Sequence, residues 1–349
     1  MKAISQILPT IVFLSLSLTP FCKEKTIPHP KAKEYLRPMA VPTPTDNPMT
    51  QEKIELGSML FFDPRMSGSN WISCATCHNP ALGWGDGLNL GLGHGMKPLG
   101  RNTPTILNTA YQESQFWDGR VATLEQQALA PVESSNEMNQ DATSMIAELE
   151  ELKMYRTLFD KAFPNEGLTK SNVAKALAAF ERTIVSGEAP FDRFLKGDVT
   201  AISDSAKRGF DLFENKAQCS KCHMGFNFSD NGFHNIGVKD PSGVVDEGRW
   251  AAVSKDFPKG FKLKVLVGAF KTPTLRDVEL TAPYLHNGMY KTLEEVVEHY
   301  NRGGDDLENI DPNMKKLNLD ETEKKDVVAF LKSLTGEQQK ITVPLLPHN

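Results

Sequence analysis

A chain of 349 residues, 40% hydrophobic and 24% charged, has the make-up of a soluble globular protein and room for two compact domains. Its formal net charge of −5, with no basic block to neutralise phosphates, speaks against a nucleic-acid binder. A mixed, mildly acidic surface suits a basic or dipole-steered redox partner.

The first predicted element is a leader. Lys2 precedes an apolar run from Ile7 to Leu18, interrupted by Pro9 and a few Ser and Thr. That run is too short to span a bilayer and reads as the core of a secretory signal over residues 1–22. The mature protein is therefore expected in the periplasm. Cys22 follows, ahead of Lys23-Glu24-Lys25. Two readings of it stay open. It carries lipid and tethers the protein to a membrane as a lipoprotein, or it belongs to an ordinary signal peptide whose cleavage removes or ignores it. Pro20 and Phe21 are poor matches to the small residues usual before a lipid-modified cysteine. Residues 23–49 contain Pro28, Pro30, Pro38, Pro42, Pro44 and Pro48, which predict an extended linker with little regular structure. Folding is expected to begin near Thr50.

Next comes Cys74-Ala75-Thr76-Cys77-His78, and later Cys219-Ser220-Lys221-Cys222-His223. Cys-X-X-Cys-His is the attachment signature of a c-type haem. Two thiols add across the haem vinyl groups, and the adjacent His lies under the iron as proximal ligand. A four-cysteine zinc site usually keeps about 15–20 residues between its pairs, far fewer than here. A disulfide across two residues makes a small, reactive ring rather than a framework. Two covalently bound haem c groups are the reading that remains.

Between the motifs, Gly91-Leu92-Gly93-His94-Gly95 places a histidine in a glycine-rich loop that can rearrange, so His94 is able to bind or leave an iron. Ser171 to Val185 spaces Val173, Leu177, Phe180 and Ile184 as an amphipathic helix closing the first domain. A further helix runs from about Ser203 into Phe213, and Lys262 to Val267 is a weak strand. Thr292 to Tyr300 reads as a helix with Leu293, Val296, Val297 and Tyr300 on its apolar face, and His299 roughly 100° around. Tyr300 is thereby an inward-facing candidate ligand or a core aromatic, with Met224, Met289 and Met314 as rival thioethers. Glu321 to Leu334 forms the last helix, stopped by Gly336. The expected fold is mainly α: two cytochrome c-like haem domains in tandem, residues 50–187 and 188–340, with long loops and little β.

At this point the chain resembles a known family, the bacterial di-haem cytochrome c peroxidases and their relative MauG, over roughly residues 50–336. The resemblance rests on linked motifs beyond the haem sites. These are Arg101-Asn102-Thr103-Pro104-Thr105, Gln115-Phe116-Trp117-Asp118-Gly119-Arg120, Glu137-Met138-Asn139, and Thr281-Ala282-Pro283-Tyr284-Leu285-His286-Asn287-Gly288. It implies that His78 is the proximal ligand of a peroxidatic haem and His94 its removable distal ligand. It implies that His223 is the proximal ligand of an electron-transfer haem and that Trp117 lies between the two. Gln127 and Glu137 match polar residues over the open iron, with Glu137 as general acid–base and Gln127 orienting peroxide. Asn102, Thr281 and Pro283 resemble the residues that hold a calcium ion between the domains, chemistry that suits a hard cation.

Tyr300 departs from the typical peroxidases, which place Met there; MauG-like members have Tyr. A phenolate favours ferric iron and lowers the potential, whereas a thioether raises it. The resemblance thus implies a cytochrome-c peroxidase-like oxidoreductase. It would reduce hydrogen peroxide to water with electrons from a small cytochrome c or copper protein. The alternative is a MauG-like oxidase acting on a protein or organic substrate through a high-valent iron state. A pure electron carrier is the third reading, one that would have no need of Glu137 and Gln127. Family members often form homodimers.

Overall fold

The computed structural model describes residues 27–240, 243–305 and 308–348, so the leader and Cys22 lie outside the described residues. In chain order, α1 (Ala32–Tyr35) precedes α2 (Gln51–Phe62), and α3 (Cys74–Cys77) is the single turn that carries the first haem motif. Then come α4 (Leu124–Ala128), α5 (Ala130–Glu133), α6 (Ala142–Glu151), α7 (Lys153–Ala162) and α8 (Lys170–Glu181). The second half holds α9 (Pro190–Leu195), α10 (Asp204–Glu214), β1 (Phe233–His234), α11 (Arg249–Val253), β2 (Phe270–Lys271), α12 (Leu293–Arg302) and α13 (Glu321–Lys332). The fold is mainly helical, with one two-stranded antiparallel sheet among the described residues. No helix among them is long and apolar enough to cross a membrane.

Each half is built on one close helix crossing. A Cβ on Gly57 of α2 would lie 1.9 Å from the Ala176 carbonyl oxygen of α8. A Cβ on Gly209 of α10 would lie 1.9 Å from the Asp326 carbonyl oxygen of α13. Only glycine lets the backbones approach this far. Phe180 and Phe330 pack over the respective glycines, and two separate cores grow from these crossings. The first gathers Leu56, Leu60, Phe61, Tyr155, Phe159 and Leu177. The second is an aromatic cluster in which the Phe330 ring meets Phe191 at 5.2 Å and Phe213 at 5.0 Å.

Two expectations need correction. Residues 27–49 hold little regular structure beyond α1, but they are part of the fold, which does not begin at Thr50. The Tyr35 side chain is fully buried in the second core, and Arg276, 1% exposed, donates to the Tyr35 carbonyl and to Asp192, each at 2.8 Å. Asn47 is buried too, donating to Glu125 at 2.8 Å and to the Lys175 carbonyl at 2.9 Å. The prolines set direction here without preventing docking. The tail returns the other way: Arg65 donates to the Pro347 carbonyl at 2.9 Å, and Ile341 packs on the first core. Each end of the chain is therefore built into the opposite half. The predicted strand over 262–267 is a 3-10 turn at Lys264–Leu266. Phe261 and Val265 there are half exposed, and the strand falls later, at Phe270–Lys271.

The halves meet through a repeated passage. Asn102-Thr103-Pro104-Thr105 leads to Asn108, and Lys271-Thr272-Pro273-Thr274 leads to Asp277; Asn108 and Asp277 both adopt left-handed backbone, φ 60° and 57°. A reversal follows in each, closed by bridges Gln115–Val121 and Tyr284–Tyr290. The two passages interlock about a pseudo-two-fold. Asn102 N donates to the His286 carbonyl at 2.7 Å, and Lys271 N donates to the Trp117 carbonyl at 2.8 Å. Arg101 completes the seam by bonding Asp118 at 2.7 Å and Asp246 at 2.6 Å.

Candidate functional site

A cavity of about 740 Å³ spans both halves, and its wall includes Cys74, Cys77, His78, Cys219, Cys222 and His223. All four cysteines are free thiols, so the disulfide alternative falls away. Burial pushes Cys77 up to about 11 and Cys219 up to about 12, so both stay protonated and unreactive as bare thiols.

The imidazoles are set alike. His78 Nδ1 lies 3.2 Å from the Trp84 carbonyl and His223 Nδ1 lies 2.9 Å from that of Phe228. The carbonyls of Pro104 and Pro273, from the repeated Thr-Pro-Thr, also face these rings. A carbonyl on Nδ1 fixes the proton there and leaves Nε2 as the lone-pair nitrogen. Burial holds both pKa values below the usual histidine range, so both rings are neutral, as an iron ligand must be. An apolar-walled cavity, unpaired thiols and oriented neutral imidazoles fit two covalently attached haem c groups. His78 and His223 would hold the irons, and each haem would supply redox-active iron.

The opposite faces differ. In the second half α12 is continuous, capped by the Thr292 hydroxyl accepting from Glu295 N at 3.1 Å, and it carries Tyr300 on the cavity wall. Burial raises the Tyr300 phenol well above its ordinary range, so only a strong cation would take its proton. His299 is fully buried beside it but fully engaged, with Nδ1 3.0 Å from the Tyr290 hydroxyl and Nε2 2.9 Å from the Ile236 carbonyl. Of the rival thioethers, Met314 lines the cavity, Met224 is 42% exposed, and the Met289 sulfur lies 3.8 Å from the Asn287 amide.

In the first half the matching helix breaks. α4 is capped by Thr123, as α12 is by Thr292, but Pro131 has no N–H to give the Gln127 carbonyl, and α5 restarts as a separate turn. Pro131 stands at the place of Tyr300, counted from the capping threonines. Gln127, Pro131 and Glu137 line the cavity there. Burial raises the Glu137 pKa, against a downward pull from Arg120. Trp117 lies on the same wall, its indole N–H donating to the Asn102 carbonyl at 2.9 Å.

His94 sits at the edge of this site. Leu92 and Gly93 line the cavity and His94 does not. Its backbone N–H donates to the Asn136 carbonyl at 3.0 Å, while its Nδ1 is buried without a hydrogen-bond partner. Asn102, Thr281 and Pro283 all line the cavity between the halves. The Asn102 amide donates to the Leu88 carbonyl at 2.8 Å and the Thr281 hydroxyl to that of Val278 at 3.1 Å.

Three wall residues were missed from sequence. His234 is clamped between Asp311 at 2.7 Å and Asp230 at 2.9 Å; with Cys222 as the largest influence, its pKa rises to about 10. That Cys222 contact belongs to the bare thiol. Lys271 is buried at the seam, its ammonium donating to Gln112 and to the Ser114 carbonyl, and burial lowers it to about 7. Glu181 ends α8. Aligning the two Thr-Pro-Thr passages would have exposed Lys271 as the counterpart of Asn102; His234 and Glu181 give no local signal.

The comparisons agree with this geometry. Residues 51–200 match the family described as Di-haem cytochrome c peroxidase, and residues 206–335 match Cytochrome c. The chain is 45% identical to the methylamine utilization protein MauG of Methylorubrum extorquens, over 90% of this chain and 86% of that one. It is 36% identical to the cytochrome c551 peroxidase of Nitrosomonas europaea, over 97% and 94%. The solved structure of a MauG-like protein associated with microbial copper homeostasis superposes with TM-score 0.78 at 30% identity, covering 87% of this chain and 94% of that one.

Proposed function

Because the chain belongs to the di-haem cytochrome c peroxidase family, which includes MauG, we propose that it reduces hydrogen peroxide at the His78 side of the cavity. Electrons arrive through the His223 side from a small cytochrome or copper protein. The observation that carries this reading is the broken helix at Pro131, the residue at the place of Tyr300, with Gln127 and Glu137 on the cavity wall beside it. Haem iron supplies the peroxide-binding centre and the redox equivalents. Peroxide, two electrons and two protons give two waters.

The chain's own residues manage the protons. Glu137, held above the ordinary carboxylate range by burial, takes the proton of one peroxide oxygen and hands it to the other, which leaves as water. The Gln127 amide donates to the departing oxygen and keeps it in line. Trp117 bridges the halves, joined to each through its indole N–H and its carbonyl. His94 acts as the gate: its unpartnered Nδ1 and flanking glycines equip the loop to swing toward the iron once the bond to Asn136 breaks. Asn102, Thr281 and Pro283 would hold a calcium ion at the seam, and its removal by a chelator would then loosen the two halves. The mature protein works in the periplasm.

A second reading, a MauG-like oxidase drawing electrons from a protein or organic substrate, is favoured by Tyr300 on the cavity wall. Mixing the fully ferric protein with stoichiometric peroxide separates the two. No optical or EPR change until one haem is reduced supports the gated peroxidase. A rapid, long-lived change without reductant supports the oxidase.

A further inference from the structure

Glu181 has no part in the chemistry above, yet it stands on the haem cavity wall at the C-terminal end of α8. It is 6% exposed. Among the described residues the one cation that acts on it is its neighbour Arg182, and that guanidinium is turned away, bonded to both Glu125 oxygens at 2.7 and 3.1 Å. No described residue donates a hydrogen bond to the Glu181 carboxyl. The second half supplies the control. Counted from the residues that meet the two crossing glycines, Ala176 and Asp326, the counterpart of Glu181 is Leu331, which lines the same cavity. The scaffold uses an apolar side chain at this place in one half and an unpartnered acid in the other.

We propose that Glu181 is a redox-linked proton site of the haem attached at Cys74 and Cys77. One electron delivered to that haem is matched by one proton taken from solvent onto the Glu181 carboxylate, and reoxidation releases it. A buried negative charge favours the oxidised, more positive iron; reduction removes the counter-charge and raises the proton affinity of the acid. The charged and titratable groups around Glu181 are Arg182 on its own helix, Glu125 on α4 and Cys74 on α3. Cys74 becomes a thioether and drops out. Burial, with Arg182 pulling down and Glu125 pushing up, already brings Glu181 to about 8. Proton uptake here therefore falls in the working pH range. The inference rests on haem attachment at the first motif and is independent of the peroxidase reading.

The test is a spectroelectrochemical titration of the holoprotein between about pH 6 and about pH 10, following each haem separately. In the natural protein the potential of the first haem falls with rising pH, approaching one proton per electron in mid-range. Glu181→Gln and Glu181→Leu flatten that slope and raise the potential on the alkaline side, while the second haem is unchanged. An unaltered slope in Glu181→Gln, or equal shifts at both haems, overturns the proposal. Redox-difference infrared spectra of the natural protein decide the matter even if the variants take up no haem. Reduction must generate a protonated-carboxyl band, and its absence overturns the proposal equally.

Discussion

The helix after the seam stops at Ala128 in the first half and runs to Arg302 in the second. Both start from a capping threonine, and both follow the same reversal and Thr-Pro-Thr passage. The difference is one residue type. A proline where the second half has Tyr300 removes a backbone donor, and the chain leaves the helical path. The first half thereby gains a polar pocket with a half-buried carboxyl, and the second keeps a closed wall with a phenol on it. One scaffold, duplicated, is differentiated by where a helix is allowed to continue.

The sharpest way to break that comparison is to remove the acid from the open side. Glu137→Gln is expected to slow the peroxide reaction by roughly 10²–10⁴-fold, the usual contribution of a positioned general acid–base. Stopped-flow rates within a few-fold of the natural protein would mean the polar pocket does no proton transfer.

The shared scaffold is tested by matched changes at the two crossings. Gly57→Ala and Gly209→Ala each push a Cβ onto a backbone carbonyl at 1.9 Å, and each should cost about 3 kcal/mol, the upper part of the overpacking range. Urea unfolding of the holoprotein measures both. A well-tolerated alanine at one site alone would show that the crossings are not equivalent.

Next comes the closed side. Tyr300→Met is expected to raise the potential of the second haem and change its charge-transfer bands, leaving the first haem as it was. Spectra and potentials identical to the natural protein would make Tyr300 a core aromatic.

The smallest expected effect is the share of the acid dependence that Glu125 contributes in the first half. Burial pushes the Glu125 carboxyl up, but bonds from Arg182 and Asn47 outweigh it and hold the pKa below its ordinary value of 4.5. A depressed folded pKa means stability present above the unfolded value and lost as pH falls through the folded one. Unfolding followed below about pH 4.5 should show this loss, and Glu125→Gln should remove that part of the acid dependence. The same acid dependence in the variant would locate it elsewhere.

Helix positions were largely legible in the sequence, because caps and apolar spacing are local. Thr292 caps α12 and Ser203 caps α10 as their positions suggest. The helix expected to reach Val185 ends at Glu181, since the following residues close turns against Phe180 and Glu181. Gln127, Glu137, Trp117 and Tyr300 do share one cavity, a convergence that the motifs implied and only the folded chain could bring about. Whether His94 joins them depends on a loop whose neighbours reach the wall while it does not.

Haem attachment was determined by the sequence alone, because Cys-X-X-Cys-His fixes two thiols and an imidazole within a single turn of chain. The fold class followed from helical spacing for the same reason: each signal is carried by neighbouring residues. The tertiary structure alone decided that Tyr35 belongs to the second core, that Lys271 locks onto the Trp117 carbonyl, and that Glu181 reaches the cavity wall with no hydrogen-bond donor among the described residues. Those outcomes depend on contacts between residues far apart in the chain, and on a cation already spent elsewhere, which no local pattern records.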